Sequence, residues 1–188
     1  MLRAVAKSKA EKIWNRARAG SVEVEHDYLV KKGIRPSGAK QIRNTLVLPV
    51  RDIDGEMYSL QFITPDGAKQ FLSGGRKKGC FCILTSSSNL DVIYVTEGWA
   101  TGCSVKQSIG GNVVVCFDAG NLLPVCNALR GKYPDSKIII CADDDFNMDG
   151  NPSITKASEA VAEINGFVVK PEFGADRAVH ETDFNDMH

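Results

Sequence analysis

The chain has 188 residues, 43% of them hydrophobic and 24% charged, with 23 basic and 23 acidic side chains in balance. These proportions suit a folded domain with its own core and exclude a disordered or fibrous chain. No apolar run reaches bilayer length and MLRAVAKSKAEKIWNRARAG lacks the apolar block of a secretory signal, so no membrane contact and a cytoplasmic location are expected.

Residues 3–19 place Ala6, Ala10, Ile13, Trp14 and Ala17 at helical spacing before Gly20, and HDYLVKKG (26–33) predicts a short second helix stopped by Gly33. Residues 1–44 are therefore expected to be a helical arm. Residues 1–45 carry 11 Lys and Arg against 4 Asp and Glu, a balance suited to a polyanion or to a solvated face. Trp14 is read first as a core residue and second as a stacking platform.

Over residues 45–90 the period becomes that of strands: TLVLPVRD, a turn at Asp54-Gly55, EMYSLQFIT, a turn at Pro65-Asp66-Gly67, and KQFL. This predicts a small antiparallel β-meander. It leads into the basic loop GGRKKG (74–79) and a further strand candidate, CFCIL.

Residues 91–188 alternate strand and helix: DVIYVTE, WATGCSVKQSIG, NVVVCFD, NLLPVCNALRGKY, SKIIICADDD, ITKASEAVAEIN and GFVVKP. Strands apolar throughout predict an α/β fold, a parallel sheet with flanking helices on both faces. Residues 83–188 hold 15 Asp and Glu against 7 Lys and Arg, a surplus that suits divalent cations. The six cysteines lie mostly in apolar stretches and read as reduced core residues; Cys80 and Cys82 form CxC with no second pair at finger spacing, so no structural zinc is expected.

Ligands of open parallel sheets bind beyond the carboxyl ends of the strands. Three strands end in acids there: Glu97-Gly98, Asp118-Ala119-Gly120 and Asp143-Asp144-Asp145. Extended backbone points Asp143 and Asp145 to one side and Asp144 to the other. Carboxylates crowded together raise one another's pKa unless a cation compensates, and an oxygen-only set favours magnesium or manganese. The bland alternative is that these acids are helix caps or solvated loop ends. Asp145, Asn147, Asp149 and Gly150 open like a calcium loop, but Lys156 stands where a bidentate glutamate belongs and a strand precedes, so an EF-hand is set aside.

VIYVTEG (92–98) followed by IIICADDD (138–145) resembles the TOPRIM domain of bacterial-type DNA primases, topoisomerases and some nucleases. The nearer resemblance is to primases of plasmids, phages and integrated elements, in which a GGRKKG-like loop, a stretch like FDAGNLLPV (117–125) and a DFNDMH-like segment (183–188) stand in this order. It implies that Glu97 is a metal-linked acid or base, that Asp143 and Asp145 bind metal, and that Asp183 and Asp186 help hold a further cation. Arg76, Lys77 and Lys78 would engage nucleotide phosphates or DNA. Two or more Mg2+ or Mn2+ ions are expected. Some members carry an acid four residues after the glutamate, where Thr101 stands here.

The activity implied is primer synthesis from ribonucleoside triphosphates on a single-stranded DNA template. The alternatives are a TOPRIM nuclease or a non-catalytic metal- and DNA-binding replication module. No zinc-binding module precedes these motifs and no GxxxxGK[ST] loop occurs, so the chain is expected to be a fragment, or a subunit relying on zinc-binding and helicase modules or partners.

Overall fold

The computed structural model describes residues 2–17, 25–84 and 89–187. The chain divides into two compact units, Met1–Cys82 and Ile83–His188.

In the first unit, α1 (Leu2–Arg16) precedes α2 (Asp27–Lys32). The predicted stop of the first helix, Gly20, lies outside the described residues. His26 caps α2, its Nδ1 accepting from the Tyr28 amide at 3.3 Å, and Gly33 closes the helix at φ 63°. Strands β1 (Lys40–Ile42), β2 (Thr45–Arg51), β3 (Met57–Ile63) and β4 (Lys69–Phe71) form an antiparallel sheet in chain order. The helical arm expected over residues 1–44 thus ends in a strand, β1. Arg43 holds φ 51° in the tight turn before β2, a conformation usually signalled by glycine, so no turn signal marked that hairpin.

The core of this unit joins Ala10 of α1 to Val47, Met57, Leu60 and Leu72, with Ile13, Trp14, Ile42 and Phe62 packed against them. Apolar positions on one stripe of α1 bury against the meander, which is why a lysine-rich helix is stable there. Trp14 is half-buried in this layer, with the Lys40 ammonium 4.3 Å from its ring centroid.

The second sheet has the order β5-β7-β6-β8-β9, where β5 is Cys82–Ile83, β6 Val92–Thr96, β7 Asn112–Val115, β8 Lys137–Cys141 and β9 Phe167–Val169. The pairs β6·β7, β6·β8 and β8·β9 are parallel. Helices α3 (Trp99–Ile109), α4 (Leu122–Lys132) and α5 (Pro152–Ile164) make the crossovers. The α/β expectation holds, with β7 buried along its whole length. At the edge it needs correction: β9 is apolar yet exposed throughout, so its composition reflects strand propensity and not cover on both faces.

α3 sits close on the sheet because residue 102 is glycine. A Cβ there would come within 2.9 Å of Thr96 Oγ1 and of Val115 Cγ2. All six cysteines are buried. Burial pushes the Cys126 and Cys141 thiols up to about 12, so they serve as apolar packing. No helix among the described residues is long and apolar enough to cross a membrane.

Candidate metal centre

The site is assembled at the carboxyl ends of three adjacent parallel strands. Thr96, the last residue of β6, is in register with Val115 of β7 and Cys141 of β8. Glu97, Asp118 and the run Asp143-Asp144-Asp145 therefore leave the sheet on one edge. Phe117 turns the chain after β7 with φ 77°, a backbone that non-glycine residues adopt at a cost of order 1 kcal/mol. Asp118 follows in extended conformation and introduces a single 3-10 turn, Ala119–Asn121, before α4.

Glu97 is buried, at 7% exposure. Ser153, in the first turn of α5, hydrogen-bonds to it, whereas Oε1 is buried with no hydrogen-bond partner. Burial raises its pKa from 4.5 to about 7, Asp145 and Asp118 push the same way, and the Ser153 bond offsets part of the rise. Asp143 and Asp145 are half-buried, and Oδ1 of Asp143 is also enclosed without a hydrogen bond.

An orphaned carboxylate oxygen, neighbours of like charge and oxygen-only donors are the chemistry that a hard divalent cation satisfies. Among the described residues no three Asp, Glu, His or Cys side chains converge as a ready-made metal cage. Past Asp145 the stretch resembling a calcium loop is exposed and built of turns, with the Asn147 side-chain amide donating to Val179 O at 2.8 Å.

Asp144 is used differently. Its carboxylate is buried and accepts from Asn151 Nδ2 at 2.6 Å, Arg177 Nη1 at 2.8 Å and Lys170 Nζ at 3.2 Å. Burial pushes its pKa upward, but hydrogen bonds from Asn151, Arg177 and Lys170 outweigh that and hold it below the usual carboxylate range.

The Toprim domain family matches residues 92–188, from the first residue of β6 onward and over half of the chain. The chain belongs to the Toprim domain family. Two Escherichia coli relatives, both named DNA primase TraC, are similar to it. One is 36% identical over 133 residues, covering 67% of this chain and 12% of the relative; the other is 32% identical over 188 residues, covering 91% and 13%. The chain thus spans about an eighth of the length of these relatives. Among solved structures, the DnaG primase catalytic domain bound to ssDNA has a TM-score of 0.60 at 10% identity, covering 98% of this chain and 74% of that one. The primase fragment of the bacteriophage T7 primase-helicase protein has a TM-score of 0.56 at 20% identity, covering 86% and 64%. At these identities the likeness is one of fold.

Within the Toprim domain, Asp183 and Asp186 brace the closing segment. Asp183 Oδ1 accepts from the Asn185 and Asp186 amides at 2.6 and 3.2 Å, and Asp186 Oδ2 accepts from the Thr182 and Asp183 amides at 2.9 and 3.2 Å. Thr101, at the position where some members have an acid, donates to Asp183 Oδ2 at 3.0 Å. Asn185 Nδ2 donates to Ser104 Oγ at 2.9 Å, so both bonds tie this segment to α3.

The basic loop precedes the Toprim match and belongs to the first unit. Arg76 pairs with Asp52 Oδ2 at 2.9 Å and stacks 3.6 Å from the Tyr58 ring centroid, so part of its binding capacity holds the loop itself. Lys77 lies 5.3 Å from the Phe71 ring centroid, and Lys78 is exposed. Asp118 ends a strand on the same sheet edge as Glu97, and that placement is its signal in the sequence. Ser153, Arg177 and the inward role of Asp144 depend on contacts that no local pattern announces.

Proposed function

We propose that this chain is the catalytic core of a DNA primase, making short RNA primers on single-stranded DNA by metal-dependent nucleotidyl transfer. The observation that carries the reading is the buried Glu97, its Oε1 without a hydrogen bond, facing Asp145 and Asp118 at the sheet edge of a Toprim domain. The two relatives named DNA primase favour primer synthesis over a nuclease or a purely binding module.

Asp143, Asp145 and Glu97 would hold two or more Mg2+ or Mn2+ ions, which when bound supply charge neutralisation at phosphate oxygens and a lowered pKa for a 3′-hydroxyl. Glu97, already poised near neutrality, holds or moves a proton at Oε1. Asp183 and Asp186 are proposed as outer ligands of a further cation; because they also brace the closing segment, their loss reaches the fold as well. Arg76, Lys77 and Lys78 engage phosphates of nucleotide or template, with Lys78 the most available. Single-stranded DNA, ribonucleoside triphosphates and helicase or zinc-binding modules are the partners this reading requires.

The test is incorporation of labelled ribonucleotides on single-stranded DNA with Mg2+ or Mn2+, comparing the native chain with Asp143→Asn/Asp145→Asn. Short RNA products made by the native chain and lost in the double variant are expected. Metal-dependent DNA degradation without RNA synthesis would replace the primase with the nuclease. Neither activity, with DNA binding intact in both proteins, would favour the binding module.

A further inference from the structure

The backbone that carries Asp143 and Asp145 lies past the end of β8, beyond the sheet ladder. Apart from Asn151, whose Nδ2 donates to Asp144 Oδ1 at 2.6 Å, its anchors come from the segment that follows β9. The Asp144 amide donates to Thr182 O at 2.7 Å, and the Asp144 carbonyl accepts from Arg177 Nη2 at 2.8 Å. Arg177 Nη1 reaches Asp144 Oδ2 at 2.8 Å, and its Nε donates to Glu181 O at 2.7 Å. The guanidinium also stacks against two rings, 3.7 Å from the Phe146 centroid and 4.5 Å from that of Phe173. One planar fork therefore grips both the side chain and the main chain of the residue between the two candidate ligands, and the ring next to Asp145. Lys170 shares the Asp144 carboxylate but is half exposed and offers a point charge.

We propose that Arg177 is a positioning residue for the Asp143 and Asp145 carboxylates, acting through Asp144 and Phe146 without touching substrate. The proposal rests on the metal-centre reading above. Asp143 and Asp145 flank Asp144 in the chain, so a rotation of the Asp144 peptide moves both candidate ligands together. Fixing that peptide at its carbonyl and its carboxylate from one rigid group sets their separation. Lysine preserves the charge at this place and loses the fork, so Arg177→Lys separates positioning from neutralisation.

The experiment is Mn2+ binding to the 188-residue chain, followed by the electron paramagnetic resonance signal of free Mn2+, with no nucleotide or DNA present. Arg177→Lys is expected to weaken Mn2+ binding by about 10-fold or more, the range typical of residues that orient metal ligands. Lys170→Ala is expected to stay within about threefold of the native chain, since an exposed ion pair constrains little. Native-like affinity in a folded Arg177→Lys protein overturns the proposal and leaves the metal centre standing. If Arg177→Lys does not fold, Phe173→Leu, which removes one of the two rings beside the guanidinium, takes its place: several-fold weaker binding supports the proposal and unchanged binding overturns it. Should the native chain bind no Mn2+ that Asp143→Asn/Asp145→Asn abolishes, the metal-centre reading itself fails and this proposal with it.

Discussion

Glu97→Gln should make the metal-free protein more stable above neutral pH and leave it little changed in acid. The native state holds the Glu97 proton up to about pH 7, whereas the unfolded chain releases it near 4.5. Between those values the native state binds more protons, so the wild type loses stability as pH rises from 4.5 through 7. At ~1.4 kcal/mol for each tenfold difference in proton affinity, the full penalty above pH 7 is about 3 kcal/mol, falling to under ~1 kcal/mol at pH 5. Glutamine keeps the acceptor for Ser153 and removes the charge that burial, Asp145 and Asp118 oppose. The assay is urea unfolding in EDTA at pH 5 and pH 8, read by fluorescence of Trp99, which is 1% exposed and two residues away, in a Trp14→Phe background. The variant's advantage is expected to grow by about 2 kcal/mol between the two pH values. An equal difference at both, whatever its sign, would refute the assignment of a strained, ionised Glu97. Millimolar Mg2+ is expected to narrow the gap at pH 8, because a ligand that binds only the native carboxylate stabilises the wild type.

Gly102→Ala forces a Cβ to within 2.9 Å of Thr96 Oγ1 and Val115 Cγ2, and a loss of about 1–3 kcal/mol should appear as a lower urea midpoint; a shift below ~0.5 kcal/mol would contradict the close packing of α3. Gly75→Ala places a Cβ onto the Ser59 side chain and 3.0 Å from Tyr58 O, so the first unit should lose stability by a similar amount, measured by thermal melting. Lys78→Ala should leave stability within about 0.5 kcal/mol yet weaken single-stranded DNA binding, with the salt dependence shallower by about 0.7 in log–log slope. Arg76→Ala should cost about 1–2 kcal/mol of stability as its bond to Asp52 and its stacking on Tyr58 are lost; an unchanged melting curve would return Arg76 to the role of a free phosphate ligand.

Much of the fold was legible because its elements are written in local periodicity. The alternation from VIYVTE to GFVVKP shows in runs of a few residues, and the acids at strand ends follow from where strands stop. The two-residue period of extended chain sets Asp143 and Asp145 apart from Asp144, and the structure gives the Asp144 carboxylate a partner of its own in Arg177. The hairpin at Arg43 has no local signature, because its positive φ is carried by an ordinary residue held there by the pairing of β1 with β2. The solvent exposure of β9 was hidden for a related reason, since apolar composition does not distinguish an edge strand from a covered one.

The sequence by itself determined the order of elements, the Toprim pattern and the residue types at the sheet edge. Only the tertiary structure decided how each acid is used. Ser153 reaches Glu97 across 56 positions and Arg177 reaches Asp144 across 33, contacts made by the packing of α5 and of the closing segment. Thr101 meets Asp183 across 82 positions in the same way. Charge and hydrogen bonding at a site depend on distance in space, and the chain's local pattern carries almost none of that information until the sheet brings its strand ends together.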